Sequence, residues 1–195
     1  MSSAEEVAAA AARWVVEEGL EYGPAKKRAV REAGRRAELP SNAQLEDAVR
    51  EYLAVFCADT QPAELQALRE VARVWMERLA GFRPHLAGAV WRGTATRMSA
   101  VHIELYCDDP KAAELALIDR GVDYDSAQID REGGAEPIPV LTVGSRSAAL
   151  GEQVTVHLKV FDHDDLRGAL KPDAQGRSWR GDLAALQRLL AGAEP

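Results

Sequence analysis

The sequence predicts an α+β fold: a mixed β-sheet with helices packed on one face, preceded by an all-helical N-terminal region. Apolar residues recur at helical spacing almost throughout residues 4 to 80. The spacing changes from 3.6 to 2 around Gly81 to Pro84, which indicates entry into a sheet. The later strands are joined partly by hairpins and partly by a helix, as in a mixed sheet. We therefore divide the chain into a helical region, 1–64, and an α+β domain, 65–195.

The first two predicted helices are bounded by glycine and proline. The first runs to about Glu18, and Gly19 is a suitable stop. The second begins after Gly23, and Pro24 fits its first turn because the N–H that proline lacks would have no partner there. These signals predict two short helices connected by a tight turn.

The third predicted helix opens with Ser41 and Gln44 at capping-box spacing, so that a hydroxyl and an amide satisfy two backbone N–H groups. The segment DTQP at 59–62 ends it and starts a fourth helix. Trp75 falls on the apolar stripe of the fourth helix and is expected in the core. The buried stripe of the third helix is predicted to be Leu45, Val49, Tyr52, Leu53 and Phe56.

The α+β domain is predicted from alternating and apolar runs separated by turn residues. Asp109 is a good N-cap for a helix that has Pro110 at its first position and closes at Gly121. Segments 130–137 and 171–181 are expected to be loops. Strands are predicted at 85–92, 101–107, 122–129, 138–143 and 154–161, and further helices near 164–170 and 182–191.

Composition narrows the classes of function. The chain carries a net charge of −7, which makes a nucleic-acid partner unlikely and favours a nucleotide, another small molecule or a protein. No apolar run approaches the length of a membrane span, and acidic residues stand where a signal peptide has basic ones. Cys57 and Cys107 do not have the spacing of a metal site, and we expect both to be buried thiols. Free thiols are typical of a reducing compartment, so we expect a cytoplasmic protein.

One helix face in the N-terminal region is strongly basic. A solvated face and a patch for an acidic partner or a polynucleotide both fit this pattern, and the second interpretation allows a protein partner to bind the helical region. The face comprises Lys26, Lys27, Arg28, Arg31, Arg35 and Arg36.

A helix ending near Ala80, followed by HLAGAVWRGTATRMSAVHIELY, resembles the start of the nucleotidyltransferase domain of the DNA polymerase β superfamily. In that family a helix leads to a strand ending in Gly-Ser, then a turn, then a strand with Asp-x-Asp. Here Gly93-Thr94 stands in place of Gly-Ser, and the segment from Ser99 to Leu105 stands in place of the acidic strand. The resemblance covers roughly residues 67 to 165.

The resemblance implies transfer of a nucleoside monophosphate from an NTP, with Mg²⁺ or Mn²⁺ held by carboxylates on alternate residues of one strand. It assigns catalytic and metal-binding roles to Glu104 and His102. Phosphate binding is assigned to the turn, because backbone N–H groups and small residues can cradle an anion. The residues of that turn are Gly93, Thr94, Arg97 and Ser99.

The acidic motif is incomplete in this chain. Depending on register, Asp-x-Asp is replaced by Ala100-x-His102 or by His102-x-Glu104, and each keeps at most one carboxylate. The expected third carboxylate has no clean match on the strand at 154–161, although Asp123 and Asp125 could replace it. Imidazole suits zinc better than magnesium.

Three functions remain open from the sequence. The first is nucleotidyl transfer, and the second is a catalytically inactive relative that binds a nucleotide or a protein. The third is a metal-dependent enzyme, with zinc as the alternative metal, in which His102, Glu104 and His157 meet on neighbouring strands. In a purely structural alternative, Lys159 pairs with Glu104 on a polar sheet face.

Arginines near two loops admit two readings. Arg83, Arg92 and Arg97 flank the turn after Gly93, while Arg177 and Arg180 flank Trp179 in a late loop. Guanidinium groups bind phosphate and an indole can stack on a base. Alternatively, these arginines balance an acidic surface and Trp179 anchors its loop to the core.

Overall fold

The structure is a computed structural model that describes residues 3–34 and 36–192. Two compact units emerge from its contacts. The helical unit comprises the chain up to Leu65 together with Thr94–Ser99, and the sheet unit comprises Gln66–Gly93 and the chain from Ala100 onward. The described residues contain no helix that is both long and apolar enough to cross a membrane.

Helices and strands follow in the order of an α+β fold, and the predicted fold class is confirmed. The helices are α1 (Ala4–Glu18), α2 (Tyr22–Ala33), α3 (Asn42–Phe56), α4 (Gln61–Arg78), α5 (Gly88–Arg92), α6 (Pro110–Asp119), α7 (Leu166–Ala169) and α8 (Leu183–Leu190). The strands are β1 (His85–Ala87), β2 (Val101–Cys107), β3 (Asp125–Ile129), β4 (Ile138–Ser147), β5 (Glu152–Asp162) and β6 (Arg180–Asp182).

The predicted caps and the stop at Gly19 in the helical unit are confirmed, but α2 begins at Tyr22 and not after Gly23. Pro24 is still in its first turn, where the N–H that proline lacks would have no partner within the helix. Ser41 and Gln44 form the expected capping box at the start of α3, and Ser3 forms another at the start of α1. Gly19 ends α1 in the left-handed region at φ 67°. A side chain at this position would come within 2.7 Å of the Met98 carbonyl oxygen, so glycine is required for two reasons.

The core of the helical unit lies between α1, α2 and α3. Small alanines let the helices approach closely, and Leu45 and Val49 of α3 are fully buried among them. Phe56 was expected in the same stripe but is 69% exposed, because it is the last residue of α3 and lies beyond the packed face.

The sheet unit contains one mixed sheet with the strand order β3-β4-β5-β2-β1-β6. The pairing of β2 with β5 is parallel, and the remaining pairs are antiparallel. One side of β2 and of the middle of β5 is apolar, with Val101, Ile103 and Leu105 of β2 inaccessible to solvent. Helix α6 packs against these two strands.

Three predicted boundaries in the sheet unit differ from the structure. The apolar run 85–92 is not one strand, because Gly88 at φ 68° turns the chain after three residues and α5 follows. The loop 171–181 ends in a short strand, β6. The strands predicted at 138–143 and 154–161 extend to Ser147 and back to Glu152, forming a long hairpin.

Candidate functional site on the central strand

The candidate catalytic residues lie on β2, an inner strand of the sheet. His102, Glu104 and Tyr106 alternate with the apolar residues and share the opposite face. Strand pairing brings His157 of β5 level with His102, and His85 of β1 level with Glu104. The sheet therefore places His102, Glu104 and His157 in one neighbourhood, as the resemblance and the alternative metal site require.

Glu104 is 8% exposed, and both of its oxygens are bonded to protein groups. Arg180 of β6 donates from Nε to Oε2 at 2.6 Å and from Nη2 to Oε1 at 3.3 Å. The Tyr106 hydroxyl donates to Oε2 at 2.6 Å. Arg180 is itself held by a hydrogen bond to the carbonyl of Ala169. The carboxylate is thus bound in fork geometry by a guanidinium.

Lys159 does not neutralise Glu104. The two residues are partners in the parallel pairing of β2 and β5, as the structural alternative assumed. Among the described residues, however, the cation that bonds to the carboxylate is Arg180. Arginine presents a planar pair of donors that matches both oxygens at once, which a lysine ammonium cannot do.

Aromatic packing surrounds this ion pair. The Tyr106 ring stacks on Phe161 with centroids 5.5 Å apart, and the His85 ring meets it edge-on at 5.5 Å. Burial, followed by the hydrogen bond to Glu104, raises the pKa of Tyr106 well above its usual range. Tyr106 therefore stays protonated and remains a hydrogen-bond donor to Glu104 across the physiological pH range.

The imidazole rings of His102 and His157 are in contact, in a tilted arrangement. Their ring centroids are 5.1 Å apart, and the ring planes are tilted by 30°. The Nδ1 atom of His157 lies 2.9 Å from the Thr142 hydroxyl on β4, the next strand.

These residues do not fit the metal that the resemblance implies. A Mg²⁺ or Mn²⁺ ion needs carboxylate oxygens, but Arg180 and Tyr106 occupy those of Glu104. A zinc ion in the alternative site would need a nitrogen from each imidazole, and the Nδ1 atom of His157 is already within hydrogen-bond distance of the Thr142 hydroxyl. Across residues 3–34 and 36–192, no three His, Cys, Asp or Glu side chains group in a way that could hold a metal ion.

The residues of the predicted phosphate-binding turn fall in different units. Gly93 ends α5 in the left-handed region at φ 85° and belongs to the sheet unit. Thr94, Arg97 and Ser99 belong to the helical unit. Thr94 is 2% exposed, so its hydroxyl faces the protein interior.

Backbone N–H groups of this turn already have acceptors. The N–H of Thr96 donates to the Ser99 hydroxyl, and that of Ser99 donates to the Thr96 carbonyl. The N–H of Arg97 donates to the Glu64 carboxylate at 2.9 Å, and that of Met98 donates to the Thr96 hydroxyl. A phosphate cradle formed by these four groups would have to displace each of these bonds. The phosphate-binding role of Gly93, Thr94, Arg97 and Ser99 stays a prediction.

The loop at 171–181 is held against α5 by an ion pair and a hydrogen bond. Arg92 and Asp173 form an ion pair at 3.2 Å whose side chains are 7% and 6% exposed, and the Arg92 guanidinium lies 4.3 Å from the Trp179 ring centroid. The indole N–H of Trp91 donates to the Ser178 carbonyl at 2.9 Å. These contacts match the reading in which Trp179 and the arginines hold the loop in place.

Sequence reasoning did not find Arg180 as the partner of Glu104. Arg180 lies 76 residues away on a three-residue strand, which is too short for a periodic signal. Tyr106 could have been found, since residues two apart on a strand share a face. Its spacing from Glu104 was visible in the sequence, but its hydrogen bond was not.

Comparison with known proteins assigns no family. No family model matches the sequence, and a search of curated proteins gave no match. Among solved structures, the chain is similar to Cid1 poly(U) polymerase with MgGTP bound, at 14% sequence identity and a TM-score of 0.33. The match covers 52% of this chain and 32% of the polymerase chain. A similarity of this strength assigns no activity to the chain.

Proposed function

We propose that this chain is a nucleotidyltransferase-like protein that binds a ligand without transferring nucleotides. In this proposal Glu104 and Arg180 form a structural anchor at the position where the resemblance places a metal-binding carboxylate. Transfer of a nucleoside monophosphate from an NTP to an acceptor is the alternative that the experiment must exclude. A protein partner for the helical region and a cytoplasmic location stay predictions.

The bonding of Glu104 carries the proposal. A metal ion that replaced Arg180 and Tyr106 as the partner of the carboxylate would leave the partly buried guanidinium without its counterion. Breaking a buried ion pair by losing one partner costs about 3–5 kcal/mol. A metal ion at this position would have to offset that cost before it could assist any reaction.

His102 and His157 support the same reading. Their rings contact each other on the same sheet face as the anchor, and Thr142 fixes the orientation of His157. General base catalysis also requires a nucleophile within hydrogen-bond distance of the imidazole. The contact of His157 with the Thr142 hydroxyl and the contact between the two imidazole rings are typical of neighbouring side chains on a polar sheet face.

Transfer of label from α-³²P-labelled ATP, CTP, GTP and UTP tests the proposal directly. Each nucleotide is supplied with Mg²⁺, Mn²⁺ or Zn²⁺, and the labelled products are resolved together with the protein itself, which can act as acceptor. We expect no label transfer above the protein-free blank. Glu104→Gln is compared with Glu136→Gln, because Glu136 is an exposed acid of the same unit.

The two variants separate the alternatives. If Glu104 is only an anchor, Glu104→Gln lowers thermal stability, Glu136→Gln does not, and neither changes the label signal. Transfer by the wild-type chain that Glu104→Gln abolishes and Glu136→Gln preserves would overturn the proposal. Thermal shifts with each nucleotide then report binding alone, since a ligand at 100 times its Kd adds about 2.7 kcal/mol to stability.

A further inference from the structure

We propose that a pocket beside β1 and α8 binds a small amphiphilic carboxylate, in which one anionic group is attached to a short apolar body. The inference rests on the proposed function, because it names a ligand class for a protein that binds without transferring nucleotides. The pocket lies wholly within the sheet unit. It is separate from the turn that the resemblance assigns to phosphate.

The pocket has the size and the walls of a small-molecule site. Its volume is about 390 Å³, within the range of roughly 300–1,000 Å³ that ligand pockets span. Most of its lining is aliphatic, which favours an apolar body over a sugar or a chain of phosphates. The apolar lining residues are Ala80, Pro84, Leu166, Leu183 and Ala184.

Arg83 supplies a cation at the pocket. Its guanidinium has five N–H donors, and Nη1 lies 3.2 Å from Nδ1 of His163. The side chain is exposed, so it can turn toward a bound carboxylate without breaking a buried bond. The Arg83 backbone is left-handed at φ 48°, a conformation that no other described non-glycine residue adopts.

His85 is a buried polar residue in the lining of the pocket. Its Nδ1 lies 2.8 Å from the Arg83 carbonyl oxygen, which can only accept, so Nδ1 carries the proton. In the neutral ring Nε2 is then an acceptor, and in the protonated ring it is a second donor. The same ring packs against Tyr106, so a ligand that contacts His85 adjoins the Glu104 anchor.

Electrostatics favours a single anionic group. Besides Arg83, the N-terminus of α8 carries a partial positive charge next to the lining residues Leu183 and Ala184. Asp182 also lines the pocket and caps α8 by accepting from the Ala185 N–H at 2.8 Å. Its negative charge opposes a ligand with several charges, such as a nucleoside triphosphate, more than one with a single carboxylate.

Titration with octanoate, followed by isothermal calorimetry and by chemical-shift changes in the full chain, tests this inference. Acetate has the same head group without the apolar body, and octanol has the body without the charge. We expect octanoate to bind at least tenfold more tightly than either. Equal affinity for octanoate and octanol would overturn the inference, because it would mean that the carboxylate gains nothing from Arg83.

Variants locate the site. Ala184→Trp places an indole at the exposed start of α8, in the lining of the pocket, and is expected to abolish octanoate binding. Gln187→Trp is the control: it lies at an exposed position of the same helix outside the lining, and is expected to leave octanoate binding unchanged. Arg83→Gln is expected to weaken octanoate at least tenfold without affecting octanol, and Arg83→Lys to restore most of the loss. Binding that persists in both Ala184→Trp and Arg83→Gln contradicts the assignment.

The outcomes remain interpretable if a variant misfolds. Circular dichroism melts check each protein, and if Ala184→Trp does not fold, the comparison of Arg83→Gln with Arg83→Lys decides. Failure of octanoate to bind, together with absence of nucleotide transfer, refutes the pocket and leaves the anchor role of Glu104 standing. Nucleotide transfer that depends on Glu104 refutes the proposed function, whatever the octanoate result.

Discussion

Each unit contains one buried carboxylate that forms an ion pair with an arginine: Glu46 in the helical unit and Glu104 in the sheet unit. The two pairs differ greatly in the sequence separation of their partners. Glu46 is 2% exposed and pairs with Arg50, four residues later on the same helix, at 2.8 Å. Glu104 pairs with Arg180, which is 76 residues away on another strand. An ion pair within one helix can be predicted from the i,i+4 spacing of the two residues in the sequence. An ion pair between strands cannot, because it depends on the order of the strands in the sheet.

The largest effect is expected from Glu104→Gln. The substitution keeps the shape but leaves the Arg180 guanidinium without a counterion, and we expect a loss of about 3–5 kcal/mol in the free energy of unfolding. Glu46→Gln should cost less, because the Arg50 side chain is 41% exposed and can regain water. Urea denaturation of both variants measures the difference.

A double substitution sharpens the comparison. Glu104→Met combined with Arg180→Met removes both charges from the anchor, and we expect it to recover most of the stability that Glu104→Gln loses. If the double variant is as unstable as the single one, packing and not the unpaired charge accounts for the loss, and the anchor interpretation is wrong.

Tyr106→Phe is expected to have the next largest effect. It removes a hydrogen bond to a carboxylate, which contributes about 1.5–3 kcal/mol. The folded pKa of Tyr106 is raised, so its contribution is fully present below the unfolded pKa of about 10 and is lost as pH rises toward the folded value. Stability measured between pH 8 and 11 should therefore fall less steeply in Tyr106→Phe than in the wild type.

Gly181→Ala should destabilise the sheet edge by about 1–3 kcal/mol through overpacking. A Cβ at Gly181 on β6 would overlap the ring of Trp91, whose indole N–H is held by Ser178. Gly168→Ala is the matched control, since a Cβ there meets nothing within 4 Å. Thermal melts that show equal stability for both variants would mean that the Trp91 ring can move aside.

Ser41→Ala is expected to have the smallest effect, about 1 kcal/mol, because it removes one local hydrogen bond at the start of α3. Ser41→Asp should retain the stability, since a carboxylate accepts the same backbone N–H. Chemical denaturation distinguishes the two. If Ser41→Ala lost as much free energy of unfolding as Glu104→Gln, local and long-range partners would contribute equally, and the comparison drawn above would be wrong.

Much of the fold could be predicted because its signals are local. The cap at Ser41, the stop at Gly19 and the Asp109-Pro110 start of α6 all act through hydrogen bonds between residues at most five apart in the chain. The alternation along β2 correctly gave the face shared by His102 and Glu104. The apolar run 85–92 was misread as one strand, since its composition does not distinguish a strand from the short helix that follows Gly88.

The candidate site was predicted less completely than the fold. The sequence placed His102 and Glu104 on one face and allowed His157 to join them, and strand pairing brings these residues together. It could not show that Arg180 and Tyr106 occupy the carboxylate. The pocket at Arg83 and His85 was also not visible, because its lining comes from four separate segments of the chain.

By itself the sequence determined the α+β class, the helix caps and the polar face of β2, because these depend on the intrinsic geometry of neighbouring residues. Only the tertiary structure decided what the polar face does. The strand order places β6 beside β1, and Arg180 of β6 thereby comes within hydrogen-bond distance of Glu104. A carboxylate has the same sequence signature whether it meets a metal ion or an arginine, so its chemistry is set by the partner that the fold supplies.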